Sequence, residues 1–193
     1  MLTLDAPVST TVSIRHSRFV THAGPVTDEE ASLVFYRAVA DPTATHNCWA
    51  WKLDHACRFN DDGEPAGTAG KPILAAIESK QLCRVMVVVT RYFGGVKLGA
   101  GGLVRAYSGC AARCLDQGRM IEIHPTSHYL VEAGFEWTGP VHTVIEACGA
   151  SKENESYTSG GICLQLELRD DRLRKLQTML RDATRGAATL TKI

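Results

Sequence analysis

The sequence predicts an α+β chain built as two units, residues 1–124 and 125–193. Three observations carry that expectation. At 193 residues the chain is long enough for one full domain and a smaller second one. Pro125-Thr126-Ser127 interrupts the pattern between two complete sets of elements. Beyond that break the elements run β-α-β-β-α-β, the ferredoxin-like order.

Taken in order, Thr10 to Arg15 and Ser17 to Ala23 read as a strand pair, with imperfect alternation. Pro25-Val26-Thr27-Asp28-Glu29-Glu30 is a helix entry, with Thr27 as the cap, Glu30 three residues on and Val26 as staple. That helix runs through Leu33, Val34, Tyr36 and Val39 to Asp41-Pro42. His46 to Leu53 alternates as a strand, placing Cys48, Ala50 and Lys52 on one face and Trp49, Trp51 and Leu53 on the other. Asp61 to Gly70 is a long polar loop, and Lys71-Pro72 opens a short helix ending near Ser79. Arg84 to Tyr92 is the best buried strand, Phe93 to Gly102 a glycine-rich loop, and Leu103 to Leu115 a helix. Ile121 to His124 closes the first set. In the second, Tyr129–Ala133, Glu155–Thr158, Ile162–Leu168 and Ala187–Thr191 read as strands, with helices over Gly139–Cys148 and Asp171–Ala183.

Composition narrows the functional classes. Apolar residues at 45% and charged residues at 22% are ordinary globular values. Lys plus Arg and Asp plus Glu are equal at 21 each, so no global field draws the chain to nucleic acid or to a membrane surface. Met1 to Thr11 lacks the basic and apolar regions of a secretory signal, and Val85–Val89 is too short to span a bilayer. Seven cysteines, an odd number lying mostly in apolar segments, fit reduced thiols and a cytoplasmic location.

Local charge is more informative. No acidic residue lies between Glu78 and Asp116, whereas Lys80, Arg84, Arg91, Lys97, Arg105 and Arg113 all do, with Tyr92, Phe93 and Tyr107 interleaved. If these side chains share a face they form a basic patch suited to a polyanion. Within it, Gly94, Gly95, Gly99, Gly101 and Gly102 lie between a strand and a helix, where backbone can approach a ligand and free N–H groups can meet an anion. Lys71, opening the preceding helix, is counted with them. The spacing matches neither G-x-G-x-x-G nor the P-loop, so a P-loop NTPase is not expected. Asp61, Asp62 and Glu64 could instead supply a general base or bind a divalent ion. His46-x-Cys48 and His55-x-Cys57 could present zinc ligands, or a Cys48–His46 nucleophile pair, but the spacing is that of no finger. Neither a metal nor another cofactor is expected. Cys110 and Cys114, one helical turn apart, read as core.

Four segments together resemble the IMPACT/YigZ family. They are Ser17-Arg18-Phe19; Thr45-His46-Asn47-Cys48; Asp61-Asp62-Gly63-Glu64-Pro65 with Gly67-Thr68-Ala69-Gly70-Lys71-Pro72; and Thr90-Arg91-Tyr92-Phe93-Gly94-Gly95-Val96-Lys97-Leu98-Gly99, continuing as Gly101-Gly102-Leu103-Val104-Arg105-Ala106-Tyr107. The resemblance covers about residues 15 to 117, and residues 125 to 193 resemble the second domain of the bacterial, YigZ-type members. Small departures stand at Ala66 and Ala100, where the family often carries hydroxyls, and at Trp49 and Trp51. The resemblance implies an N-terminal domain of the ribosomal-protein-S5 second-domain type and a ferredoxin-like C-terminal domain, similar in kind to the last two domains of elongation factor G. It also implies relatives in eukaryotes that regulate translation through a ribosome-associated partner of a starvation kinase, and no established reaction in the bacterial branch.

The favoured expectation is therefore a non-enzymatic, translation-associated regulator that binds structured RNA or the ribosome. The polyanion-binding set is Lys71, Arg91, Gly94, Gly95, Lys97, Gly99, Gly101, Gly102 and Arg105, with Arg91 leaning toward a structural pair with the acidic loop. One alternative is an enzyme acting on a phosphorylated or nucleotide substrate through Asp61, Asp62 and Glu64. The other is a protein-interaction module in stress control of translation. Sequence-specific DNA binding is not expected.

Overall fold

The computed structural model describes all 193 residues, and the chain divides into two compact units, Met1–Ile123 and His124–Ile193. The first contains β1 (Leu2–Leu4), β2 (Val8–Ile14), β3 (Ser17–Pro25), α1 (Glu29–Val39), β4 (His46–Lys52), β5 (Cys57–Asn60), α2 (Gly70–Ser79), β6 (Val85–Tyr92), α3 (Ala100–Gln117) and β7 (Met120–Glu122). Five strands form an antiparallel sheet in the order β2-β3-β6-β4-β5, and β1 pairs with β7 beside it.

Strand β6 reads as a continuous apolar run because the sheet is covered on both faces there. Val85, Val87 and Val89 enter the main core with Phe19, Ile73, Ile77, Tyr107 and Leu115, under α2 and α3. Met86 and Val88 point the other way and pack with Val26 and Trp51 under α1. The alternation expected for β4 holds: Cys48 and Ala50 join the first core, Trp49 and Trp51 the second. Helix α1 is capped by Asp28 rather than Thr27. The Asp28 carboxylate accepts the Ala31 N–H at 2.7 Å, and Thr27 only donates its hydroxyl to that carboxylate.

The second unit contains β8 (Thr126–Gly134), α4 (Thr138–Cys148), β9 (Ser151–Thr158), β10 (Gly161–Arg169), α5 (Leu173–Thr184) and β11 (Thr189–Lys192). Its antiparallel sheet has the order β11-β8-β10-β9, the ferredoxin-like topology. Tyr129, Val131, Ile162, Leu164, Leu166 and Leu168 meet Val141, Ile145, Leu176 and Leu180 from the helices. Thr126 and Ser127 lie within β8, opposite Arg169 and Leu168, so the break expected at Pro125-Thr126-Ser127 falls at the start of a strand. No helix is long and apolar enough to cross a membrane.

Candidate functional site

The parity that buries Val85, Val87 and Val89 also carries Arg91 onto the face under α2 and α3, next to Phe19 on β3 and His46 on β4. Arg91 is only 5% exposed and Glu64, on the polar loop, 8%. Arg91 Nη1 donates to Glu64 Oε1 at 2.5 Å, and the Tyr107 hydroxyl of α3 donates to the same oxygen at 2.8 Å. The guanidinium lies 5.6 Å from the Phe19 ring centre and 5.4 Å from that of Phe93, while its Nε has no partner. Arg91 therefore ties the acidic loop to the sheet, and its charge is already matched. Arg91, counted with the polyanion set, stands in the pocket wall in the paired, structural arrangement toward which its sequence reading leaned.

The three loop carboxylates do separate jobs. Asp61 Oδ1 accepts the N–H groups of Ala69 and Gly70, and its Oδ2 that of Gly67, which closes the loop and caps the start of α2. Burial works to raise its pKa, but the backbone donors outweigh it and hold the carboxyl below the usual range. Asp62 accepts the Asn47 N–H at 2.5 Å, and Glu64 is buried in the ion pair. No three His, Cys, Asp or Glu side chains converge as a metal would require, so the two His-x-Cys pairs and the acidic loop form no such group. Cys48 donates its thiol to the Asp61 carbonyl, and burial pushes its pKa up to about 12, which removes it as a thiolate nucleophile.

Above the Arg91–Glu64 pair lies a pocket of about 430 Å³, lined among others by Thr45, His46, Phe93, Lys97, Leu98, Gly99 and Ala100. His46 Nδ1 lies 2.7 Å from the Asp62 carbonyl; since that oxygen can only accept, Nδ1 carries the proton. Its Nε2 is 3.9 Å from Glu64 Oε1. The glycines differ in purpose. A Cβ on Gly94 would lie 1.9 Å from the His16 carbonyl oxygen, so this glycine exists for its close approach to the β2–β3 turn. Gly99 holds φ 71°, ψ 163°, a conformation open to glycine, and from it α3 begins without a side-chain cap. Gly95 also has positive φ and faces open space, and Gly101 and Gly102 are the second and third residues of α3. The helix thus starts inside the stretch read as loop.

The basic stretch is less positive than its sequence suggests. Arg84 is held by Asp54, Lys80 by Asp116 and Arg91 by Glu64. Lys97 and Arg105 are exposed and make no ion pair; Lys97 lines the pocket above the Arg91–Glu64 pair. Arg105 lines a neighbouring cleft of about 260 Å³ with Arg15, Leu98 and Gly102. Lys71 is exposed on the first turn of α2 and lines neither. Sequence reasoning missed Tyr107 as the second donor to Glu64, and Arg15 beside Arg105. The positive φ of Arg15 and His16 marks a tight hairpin turn that the short spacing between two strands could have signalled.

Comparison with known proteins agrees with this architecture. Residues 15–115 match the model of the Impact N-terminal domain. The IMPACT family member in the pol 5' region of Thermus thermophilus is 44% identical over 155 residues, covering 80% of this chain and 86% of that protein. The IMPACT family member YigZ of Escherichia coli is 32% identical over 195 residues, covering 97% and 95% respectively. A crystal structure described as that of a hypothetical protein superposes with a TM-score of 0.77 at 32% identity, covering all of this chain and 96% of the other. With its first unit matched by the domain model and its full length matched by a bacterial relative, the chain belongs to the IMPACT family.

Proposed function

We propose that the protein is a non-enzymatic, translation-associated factor that binds structured RNA or the ribosome through the surface around the start of α3. The observation that carries this reading is the set of exposed cations without carboxylate partners, Lys97 and Arg105, joined by Arg15, around the uncapped start of α3 and the Gly94–Gly102 loop. Free helix N–H groups and unpaired cations are the two features that backbone phosphates require. Phe93, 45% exposed beside them, adds a ring on which an unpaired base can stack. The resemblance to translation regulators supports the same reading, and five buried cysteines with none in a disulfide suit work in the cytoplasm.

Exposed Val96, in the same loop as Phe93, and exposed Val104 on α3 favour a second reading, a protein partner docking on this part of the surface. Ribosome co-sedimentation over a salt series separates the two. Polyanion binding falls steeply with salt, and each of Lys97→Ala and Arg105→Ala removes about one counterion equivalent from the slope. If both variants bind ribosomes and RNA as the parent does at low salt, the polyanion reading fails and protein docking replaces it.

A further inference from the structure

The first unit has a further concavity on the opposite face of its sheet. It is a cleft of about 330 Å³ between α1 and the β4–β5 hairpin, walled by Tyr36, Trp49 and Trp51, with Glu29, Arg58 and Asp62 as its charged groups. Strand parity builds it. Trp49 and Trp51 leave β4 on the α1 side, opposite Asn60 and Arg58 in register, and Tyr36 of α1 meets Trp49 at 6.2 Å with the rings inclined by 60°.

One end of the cleft shows which chemistry it accommodates. The Arg58 guanidinium lies 5.9 Å from the Trp51 ring and 3.2 Å from the Glu29 carboxylate, a cation between an indole and a counter-charge. The other end repeats the combination with Tyr36, Trp49 and Asp62, and there the chain supplies no cation. The Asp62 carboxylate accepts a single backbone N–H, from Asn47, and makes no ion pair. Burial and then the Asp62 charge push the Tyr36 phenol up, which places that charge within electrostatic reach of the ring. Two carboxylates against one guanidinium leave the cleft one negative charge in excess.

We infer that this cleft binds an organic cation, an ammonium or guanidinium head group held against Tyr36 and Trp49 with Asp62 as its counter-charge. Indole is the strongest of the natural π-faces for a cation, and a half-enclosed site strengthens the attraction over an exposed one. The size suits a small head group or the end of one side chain. The inference is independent of the proposed polyanion surface, which lies on the side of the sheet covered by α2 and α3.

The test is fluorescence titration of the whole chain carrying Trp137→Phe, so that only the two cleft indoles report. The probes are choline, arginine amide and 3,3-dimethylbutanol, the uncharged isostere of choline. Saturable quenching by choline or arginine amide, with dimethylbutanol at least about tenfold weaker, is the expected result. Which of the two cations binds tighter identifies the head group. Asp62→Asn keeps an oxygen for the Asn47 N–H and weakens cation binding about tenfold while leaving dimethylbutanol unchanged; Trp49→Leu weakens all three probes. No saturable response to either cation, equal affinity for the uncharged isostere, or cation affinity unchanged in Asp62→Asn would each overturn the inference.

Discussion

Glu64→Gln is the most direct test of how the candidate site is held together. The substitution keeps the shape of the side chain and removes its charge. Arg91, 5% exposed and already lacking a partner for Nε, is then left as an uncompensated buried cation, and the Tyr107 hydroxyl loses a charged acceptor. Breaking a buried pair by neutralising one partner costs about 3–5 kcal/mol. A first unit of this size moves by a few degrees per kcal/mol, so its melting temperature should fall by about 10–20 °C. Urea unfolding followed through Trp49 and Trp51 measures the loss as a lowered midpoint at constant slope. The double variant Glu64→Gln/Arg91→Met removes the stranded charge and should recover most of the loss, because an apolar replacement of a buried pair is often near neutral. A Glu64→Gln loss below about 1 kcal/mol would refute the buried-pair argument, since losses that small are typical of exposed pairs. A double variant as unstable as the two single losses added together would show that the residues are not coupled.

Three further outcomes follow from the geometry. Burial raises the Cys48 and Cys110 thiols to about 12 and about 11 and also raises Cys83 and Cys114, whereas Cys57 is exposed; a disulfide reagent at pH 8 should therefore give one fast-reacting thiol, abolished by Cys57→Ser. Asp61→Asn should cost about 1–3 kcal/mol at neutral pH through its lost charge-assisted bonds. Because the folded pKa of Asp61 lies below its ordinary value of 3.8, that stabilisation is complete above this value and is lost as pH falls through the folded pKa; the gap between parent and variant should be constant above about pH 5 and close below pH 4, and a gap that widens on acidification would contradict the assignment. Limited proteolysis should cut first near Ile123–Pro125, between the two compact units, and primary cleavage within α3 would count against treating them as separate domains.

The sequence announced those elements whose environment is uniform. Strand β6 was legible because both of its faces are buried, and β8 and β10 because their residues alternate around one small core. Strand β5 was not, since all four of its residues are exposed and carry no alternating signal; its pairing with β4 defines it. Strand β1 has the same difficulty, because its partner β7 comes at the other end of the unit. At the site, the run without acids between Glu78 and Asp116 spans β6, the glycine loop and most of α3. Its net field was illegible because the neutralising carboxylates come from elsewhere: Asp54 lies 30 residues before Arg84, and Glu64 lies 27 before Arg91. Thr27 and Asp28 are both good caps, and only the geometry of the entry chose between them.

The position of β6 between β3 and β4 also sets an order of events when the chain is made. The β2–β3 and β4–β5 hairpins each use neighbouring residues and can close as soon as they exist. Neither acquires its main partner until Val85–Tyr92 has been synthesised, since that strand alone joins the two halves of the sheet. Up to that point a nascent chain displays two open strand edges and the apolar side chains of Phe19, Cys48 and Ala50. Such non-local closure is slow compared with helix formation and leaves an aggregation-prone interval during elongation. Weakening β6 would therefore lengthen that interval and lower the yield of folded protein during synthesis, even where the finished fold stayed stable enough to work.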